Sequence, residues 1–138
     1  MRVGIKVKEI MNKKPVCISP KETIPACARK MLSNNVGGII VEENKKLVGI
    51  ITEKDIVEDL VGKELNVKKL KVSDIMTTGM IQISPEADIM EAVELMIRED
   101  VRRLPVTNNK KLVGIITAKD LLKKQPGLYK RFHNHLTK

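Results

Sequence analysis

The fold predicted from the sequence is α+β, built as two βαββα repeats packed with pseudo-two-fold symmetry, and two observations predict it. First, the nine residues Asn44 to Thr52 recur unchanged at 109–117, and the same 65-residue offset gives 21 identities over positions 7–57 against 72–122 without a gap. Second, each copy alternates short β-branched runs with stretches whose apolar residues follow helical spacing. A unit of ~50 residues buries too little apolar surface to be stable alone, so the two copies are expected to pack together around one shared core. The resulting division is 1–66 for repeat one, 67–124 for repeat two and 125–138 for a tail that leaves the repeat.

Repeat one opens with a short segment, Val7 to Met11, read as a helical turn, and Val16 to Ile18 reads as a brief strand. Ser19-Pro20-Lys21-Glu22 is turn chemistry. Thr23 is placed to cap a helix running to Asn34, with Ile24, Cys27, Ala28, Met31 and Leu32 as its apolar stripe, and Pro25 falls in the first turn, where it is tolerated. Val36–Val41 and Leu47–Ile51 read as strands joined by the polar loop 42–46. The second of them is apolar throughout, as in a strand buried on both faces or at the repeat interface. Thr52 opens a helix over Glu53 to Val61, Gly62 ends it, and residues 63–71 form a Lys-rich connector.

Repeat two follows the same steps. Asp88 caps a helix with Glu91 at capping-box spacing, and Ile89, Ala92, Val93, Met96 and Ile97 repeat the stripe. Val101–Val106 and Leu112–Ile116 are the strands, and Thr117 opens the next helix. Pro126-Gly127 breaks that helix. The tail beyond is read either as a short amphipathic helix through Leu128, Phe132 and Leu136 or as a frayed end.

Composition limits the chemistry. Hydrophobic residues make up 42% of the chain, yet the aromatics are one Tyr and one Phe, both in the tail. A flat ligand is therefore expected between aliphatic side chains, and the stacking used to bind single-stranded nucleic acid is missing. The formal charge of +9 comes from 26 basic against 17 acidic residues, split evenly between the halves. It suits acidic partners, namely nucleotides, nucleic acid or anionic lipid, and equally a solvated Lys-rich surface. Cys17 and Cys27 lack zinc or redox spacing. No phosphate-binding loop, dinucleotide fingerprint or nucleophile constellation is present, so the chain is expected not to be an enzyme, and the tail histidines His133 and His135 are not expected to form a metal site. Without a signal sequence or apolar span, a cytoplasmic protein with no membrane partner is expected.

The chemistry-bearing residues are duplicated. Gly49-Ile50-Ile51-Thr52-Glu53-Lys54-Asp55 and Gly114-Ile115-Ile116-Thr117-Ala118-Lys119-Asp120 both fit G-h-x-[ST]-x-x-D. A strand enters a helix through Thr, the helix N-terminus offers N–H groups to a phosphate, and Asp one turn on can accept bonds from two sugar hydroxyls. Thr with Asp three residues on is equally close to a capping box. Glycine at 49 and 114 admits a close backbone approach.

With these two motifs and Val101-Arg102-Arg103-Leu104-Pro105-Val106, the chain resembles a tandem pair of cystathionine-β-synthase (CBS) domains, a Bateman module, over nearly all of residues 3–124. The resemblance implies a stand-alone sensor binding adenine nucleotides or adenosine derivatives in clefts between the repeats, forming a homodimer and transmitting ligand state to an unknown regulated protein. It implies one cleft with Thr52, Lys54 and Asp55 facing Thr78, Met80, Ile81, Arg103, Leu104 and Pro105. It implies a second with Thr117, Lys119 and Asp120 facing Val16, Cys17, Ile18, Gly38 and Ile39. Arg102-Arg103 align with Gly37-Gly38, and an Arg beside a helix N-terminus is a strong phosphate partner. The Asp55 cleft is therefore expected to take AMP, ADP or ATP through Arg103, unless these arginines form surface ion pairs with Asp100 or Glu99. The Asp120 cleft is expected to hold S-adenosylmethionine or methylthioadenosine, to bind nucleotide through Lys119, or to stay empty. No cofactor is required. The alternatives are a nucleic-acid-associated basic protein and a ligand-free structural dimer.

Overall fold

Each repeat body is a β-hairpin flanked by helices, and each is completed by the opening segment of the other repeat. The computed structural model describes residues 2–136, with the side chain of Leu136 outside the described set. The chain forms two compact units, Pro15–Met80 and Met1–Lys14 with Ile81–Lys138. The architecture is mixed α+β.

In the unit Pro15–Met80, β1 (Cys17–Ile18) pairs in parallel with β2 (Gly38–Glu43), and β2 pairs antiparallel with β3 (Lys46–Thr52). Between β1 and β2 runs α2 (Ile24–Asn34), preceded by α1 (Val7–Ile10), which belongs to the other unit. Thr23 caps α2 as expected, its side chain accepting from the Ala26 N–H. The helix ends with Asn35 in the left-handed region and the Val36 N–H donating to the Met31 carbonyl at 3.0 Å. That closure uses Val36, which is why β2 begins at Gly38 and not at Val36 as predicted. The hairpin turn is Asn44-Lys45 alone, both with positive φ, so the predicted loop 42–46 is shorter and the strands longer. Helix α3 (Glu53–Ile56) runs on as a π-helix over Val57–Gly62. After a 3₁₀ turn at Val67–Lys69, α4 (Val72–Ile75) returns to the unit: the Val72 N–H donates to the Glu22 carbonyl at 2.8 Å and Thr77 pairs with Ile50.

The second unit repeats this plan at the 65-residue offset. Here α1 supplies the closure, the Val7 N–H donating to the Ala87 carbonyl at 2.8 Å and Asn12 pairing with Ile115. Helix α5 (Ile89–Glu99) precedes the hairpin of β4 (Arg103–Asn108) and β5 (Lys111–Thr117), which leads into α6 (Ala118–Lys124). The counterpart of β1 is reduced to a single bridge, Ile83 with Val106. Asp88 caps α5 but does not form the predicted box with Glu91. Its carboxylate accepts from the Met90 N–H and, beyond the repeat, from the N–H groups of Val3 and Gly4.

The expectation of one core shared by both copies does not hold. Ile18, Ile24, Cys27, Met31, Ile39, Val41, Ile51, Val72 and Ile75 form one buried cluster, and a second gathers Val7 with residues from Ile83 to Phe132. Each contains residues from both repeats, because each opening segment docks on the other repeat's body. A ~50-residue unit thus gains the extra apolar surface it needs by exchanging its first turn.

The tail is helical over its described residues. After a 3₁₀ turn at Pro126–Leu128, α7 (Tyr129–Leu136) packs on α5. Phe132 is fully buried, Arg131 forms a two-toothed ion pair with Glu94, and His135 is 7% exposed with Nδ1 3.2 Å from the Asp100 carboxylate and Nε2 2.9 Å from the Val101 carbonyl. The helical reading of the tail is therefore the one realised.

Candidate functional site

The Thr-x-x-Asp motif takes the same geometry in both copies. Thr52 ends β3 in extended conformation and caps α3: its Oγ1 accepts from the Asp55 N–H at 3.2 Å, and Asp55 Oδ2 accepts from the Thr52 N–H at 2.9 Å and from Oγ1 at 3.0 Å. Thr117 and Asp120 form the same box at 3.1 and 3.0 Å. The structural capping box is thus real, and it uses only Oδ2. Oδ1 of each Asp has no hydrogen-bond partner among the described residues, and both side chains are half-buried. A carboxylate fixed through one oxygen with the other available is positioned to accept from a hydroxyl.

The helix N-terminus is less open than the sequence suggested. The Glu53 N–H donates to the Gly37 carbonyl at 3.0 Å and the Ala118 N–H to the Arg102 carbonyl at 2.9 Å. With the third N–H of each helix taken by Thr Oγ1, only the second, that of Lys54 or Lys119, is left in the first turn. A phosphate there would find one backbone donor and not the cluster that makes such termini strong anion sites. The close approach permitted by Gly49 and Gly114 is made by the protein itself. A Cβ at Gly49 would lie 2.7 Å from Met76 Sδ and 3.0 Å from the Thr77 carbonyl; at Gly114 it would lie 2.8 Å from the Asn12 carbonyl and from Met11 Sδ.

The remaining predicted residues fall into two groups by unit. Thr78 and Met80 share a unit with Thr52 and Asp55, since Thr77 bridges to Ile50 two residues before Thr52. Ile81, Arg103, Leu104 and Pro105 belong to the other unit, with Leu104 and Pro105 buried and Leu104 in its core. Arg103 lies directly opposite Thr117 in the β4–β5 register, as Gly38 lies opposite Thr52 in the β2–β3 register. Side chains opposite each other in an antiparallel pair share a face, so register places Arg103 beside the Asp120 motif. Lys54 is exposed and turns to Glu58 at 3.7 Å; Lys119 is exposed.

Of the residues predicted opposite Asp120, Ile18 and Ile39 are core and Val16, Cys17 and Gly38 are half-buried. Cys17 borders a surface hollow of about 380 Å³ with Ile18, Ser19, Glu22, Ala26, Lys30 and Glu42. This hollow is charged, unlike the aliphatic walls expected for adenine, and Lys30 Nζ already donates to the Cys17 carbonyl. Burial, assisted by the Glu42 carboxylate and opposed by Lys30, pushes the Cys17 thiol up to about 11. Among the described residues no group of His, Cys, Asp and Glu is arranged to hold a metal, and no helix is long and apolar enough to cross a membrane.

Comparison with known proteins agrees with this architecture. The CBS-domain family model matches residues 7–62 and again 72–127. An uncharacterized protein of Methanopyrus kandleri is 34% identical over 137 residues, covering 98% of this chain and 70% of the relative. Inosine-5′-monophosphate dehydrogenase of Methanocaldococcus jannaschii is 34% identical over 122 residues, 87% of this chain but only 23% of the enzyme. Among solved structures, the CBS domain pair of protein MJ0100, in complex with 5′-methylthioadenosine and S-adenosyl-L-methionine, superimposes with a TM-score of 0.78 at 26% identity, covering 89% of this chain and 97% of that one.

Proposed function

Because the chain belongs to the CBS-domain family, as a tandem pair, we propose that it is a regulatory module that binds an adenosine-containing ligand and passes its ligand state to a partner protein. The observation that carries this reading is the doubled Thr-x-x-Asp box with Oδ1 of Asp55 and of Asp120 open to a ribose hydroxyl. The methylthioadenosine and S-adenosyl-L-methionine bound by the MJ0100 pair support an adenosine core as the shared element of the ligand. The match to a minor part of a dehydrogenase supports a regulatory over a catalytic role. A second copy of the chain is the proposed structural partner.

The ligand expected at Asp55 is AMP, ADP or ATP, with Arg103 on the phosphate. The β4–β5 register favours a second assignment, in which Arg103 serves the Asp120 motif. Calorimetry on Arg103→Ala, Asp55→Asn, Asp120→Asn and the two double variants separates them. A charge-assisted bond contributes about 1.5–3 kcal/mol, so Arg103→Ala is expected to weaken a nucleotide roughly 10- to 150-fold while leaving adenosine nearly unchanged. The effect disappears in whichever Asp background has lost the site that Arg103 serves. Equal losses for nucleotide and adenosine would refute the phosphate role, and unchanged binding in both Asp variants would refute the ribose role.

A further inference from the structure

Between α1 and the turn end of the β4–β5 hairpin, within one unit, lies a surface hollow of about 500 Å³. No residue of either Thr-x-x-Asp motif lines it. Val113, which does, is four residues before Thr117 in β5, ~13 Å along an extended strand. The floor is aliphatic: Pro85 is buried, and Met11 and Val113 are half-buried and pack on the unit's core. Met11 can lie this close to β5 because Gly114 has no side chain; a Cβ there would stand 2.8 Å from Met11 Sδ.

The rim is polar and exposed, and most of its charge is already spent. Glu86 is shared by Lys6 at 2.7 Å and Lys8 at 2.8 Å, and Glu9 accepts from the Lys6 N–H at 2.6 Å. The Lys13 ammonium has no ion-pair or hydrogen-bond partner among the described residues. Asn108, also exposed, adds a side-chain amide. An apolar floor with one open cation and one amide at its edge suits a ligand with an apolar body and a single negative charge. Glu9 and Glu86 would repel a second charge, which disfavours a phosphate dianion. The duplication supplies a comparison. At the 65-residue offset the apolar positions are kept, Met11 as Met76, Pro85 as Pro20 and Val113 as Val48. The cations are not: Lys8 becomes Ser73 and Lys13 becomes Thr78, while Asn108 becomes Glu43 and Glu86 becomes Lys21.

We propose that this hollow is a ligand site separate from the Thr-x-x-Asp motifs, and that it takes a small amphipathic carboxylate. The hydrocarbon chain lies on Met11, Pro85 and Val113, and the carboxylate accepts from Lys13 Nζ and from the Asn108 amide. The corresponding positions of repeat one keep the apolar residues but put a carboxylate, Glu43, where the amide would be and a hydroxyl, Thr78, where the ammonium would be. The site therefore belongs to repeat two alone, and it is independent of the adenosine-containing ligand.

Methionine-methyl NMR on the full chain tests it, with octanoate as the probe. Octanoate is expected to shift the Met11 methyl saturably and to leave that of its counterpart Met76 in place. Acetate, which lacks the chain, is expected to bind at least about tenfold more weakly, and octylammonium to leave Met11 unmoved. Lys13→Ala is expected to weaken octanoate about three- to fivefold, while Lys14→Ala stays within about twofold. The Asp55→Asn, Asp120→Asn double variant is expected to bind octanoate as the unmodified chain does. No saturable shift at Met11, an equal shift from octylammonium, or an equal loss in Lys14→Ala overturns the site. Loss of octanoate binding in the double Asp variant overturns its separateness. The probe series on the unmodified chain decides the matter even if a lysine variant fails to fold, and none of these results bears on adenosine binding.

Discussion

A methyl group at Gly114 meets the backbone carbonyl of Asn12 at 2.8 Å, whereas at Gly49 its nearest neighbour is the Met76 side chain and the Thr77 carbonyl stands farther off, at 3.0 Å. A thioether can swing aside and a carbonyl in a paired segment cannot. Gly114→Ala is therefore expected to destabilise the fold by about 1–3 kcal/mol and Gly49→Ala by less, as read from urea midpoints. At the same scale, Glu86 is held down to about 2 from an ordinary 4.5, by hydrogen bonds from Lys6 and then Lys8. Burial works to raise the Asp88 carboxyl, but the N–H bonds from Val3, Met90 and Gly4 outweigh it and hold it below its ordinary 3.8. Carboxylates depressed in the fold contribute stability that is complete above their ordinary values and is lost as the pH falls through the lowered ones. Thermal melts are thus expected to weaken from about pH 4.5 toward pH 2, and Asp88→Asn should flatten part of that limb. Salt should blunt the Glu86 share, since both sides of its ion pairs are exposed. Cys17 and Cys27, both raised to about 11 first of all by burial, should alkylate slowly at neutral pH.

At the scale of elements, α7 is the part with no counterpart in the repeat. Eight residues do not make a stable helix in isolation, so its order derives from Phe132 and the two acid contacts on α5. Phe132→Ala is expected to cost about 3–5 kcal/mol if α7 melts with the unit and less if it detaches alone. Hydrogen exchange distinguishes the two, because local detachment would leave amides of α5 protected. The caps and hairpins were readable in the sequence, since Thr23, Thr52, Thr117 and the Asn-Lys turns act over three or four residues; the stripe of α2 held at Ile24, Cys27 and Met31 but not at Leu32, which is 81% exposed. The starts of β2 and β4 were not, because the helix-ending bonds of Val36 and Val101 remove residues whose composition is that of a strand. The tail was ambiguous for the same kind of reason: its helix depends on Glu94 and Asp100, far away in sequence.

For the whole molecule, the proposed role predicts a thermal shift. In a panel of AMP, ADP, ATP, S-adenosylmethionine and NAD, a ligand at 100 times its dissociation constant should add about 2.7 kcal/mol. No shift with any adenine compound would favour the ligand-free dimer. A salt-sensitive affinity for DNA or RNA would instead favour the nucleic-acid reading.

The duplication, the helix and strand types and the twin Thr-x-x-Asp boxes follow from the sequence alone, because periodicity and capping act between near neighbours. The candidate site was legible as a motif, but its availability was not. Only the tertiary structure decided that Gly37 and Arg102 carbonyls occupy the first helix N–H groups, that Gly49 and Gly114 make room for the chain itself, and that Arg103 stands opposite Thr117. It likewise decided that residues 3–12 complete the body of repeat two while 72–77 complete that of repeat one. The two copies follow the same pattern of elements, with 21 identities between positions 7–57 and 72–122, so local pattern does not say which opening segment docks on which hairpin. The choice appears only in contacts between residues distant in sequence, such as the Val7 N–H on the Ala87 carbonyl and the Val72 N–H on the Glu22 carbonyl.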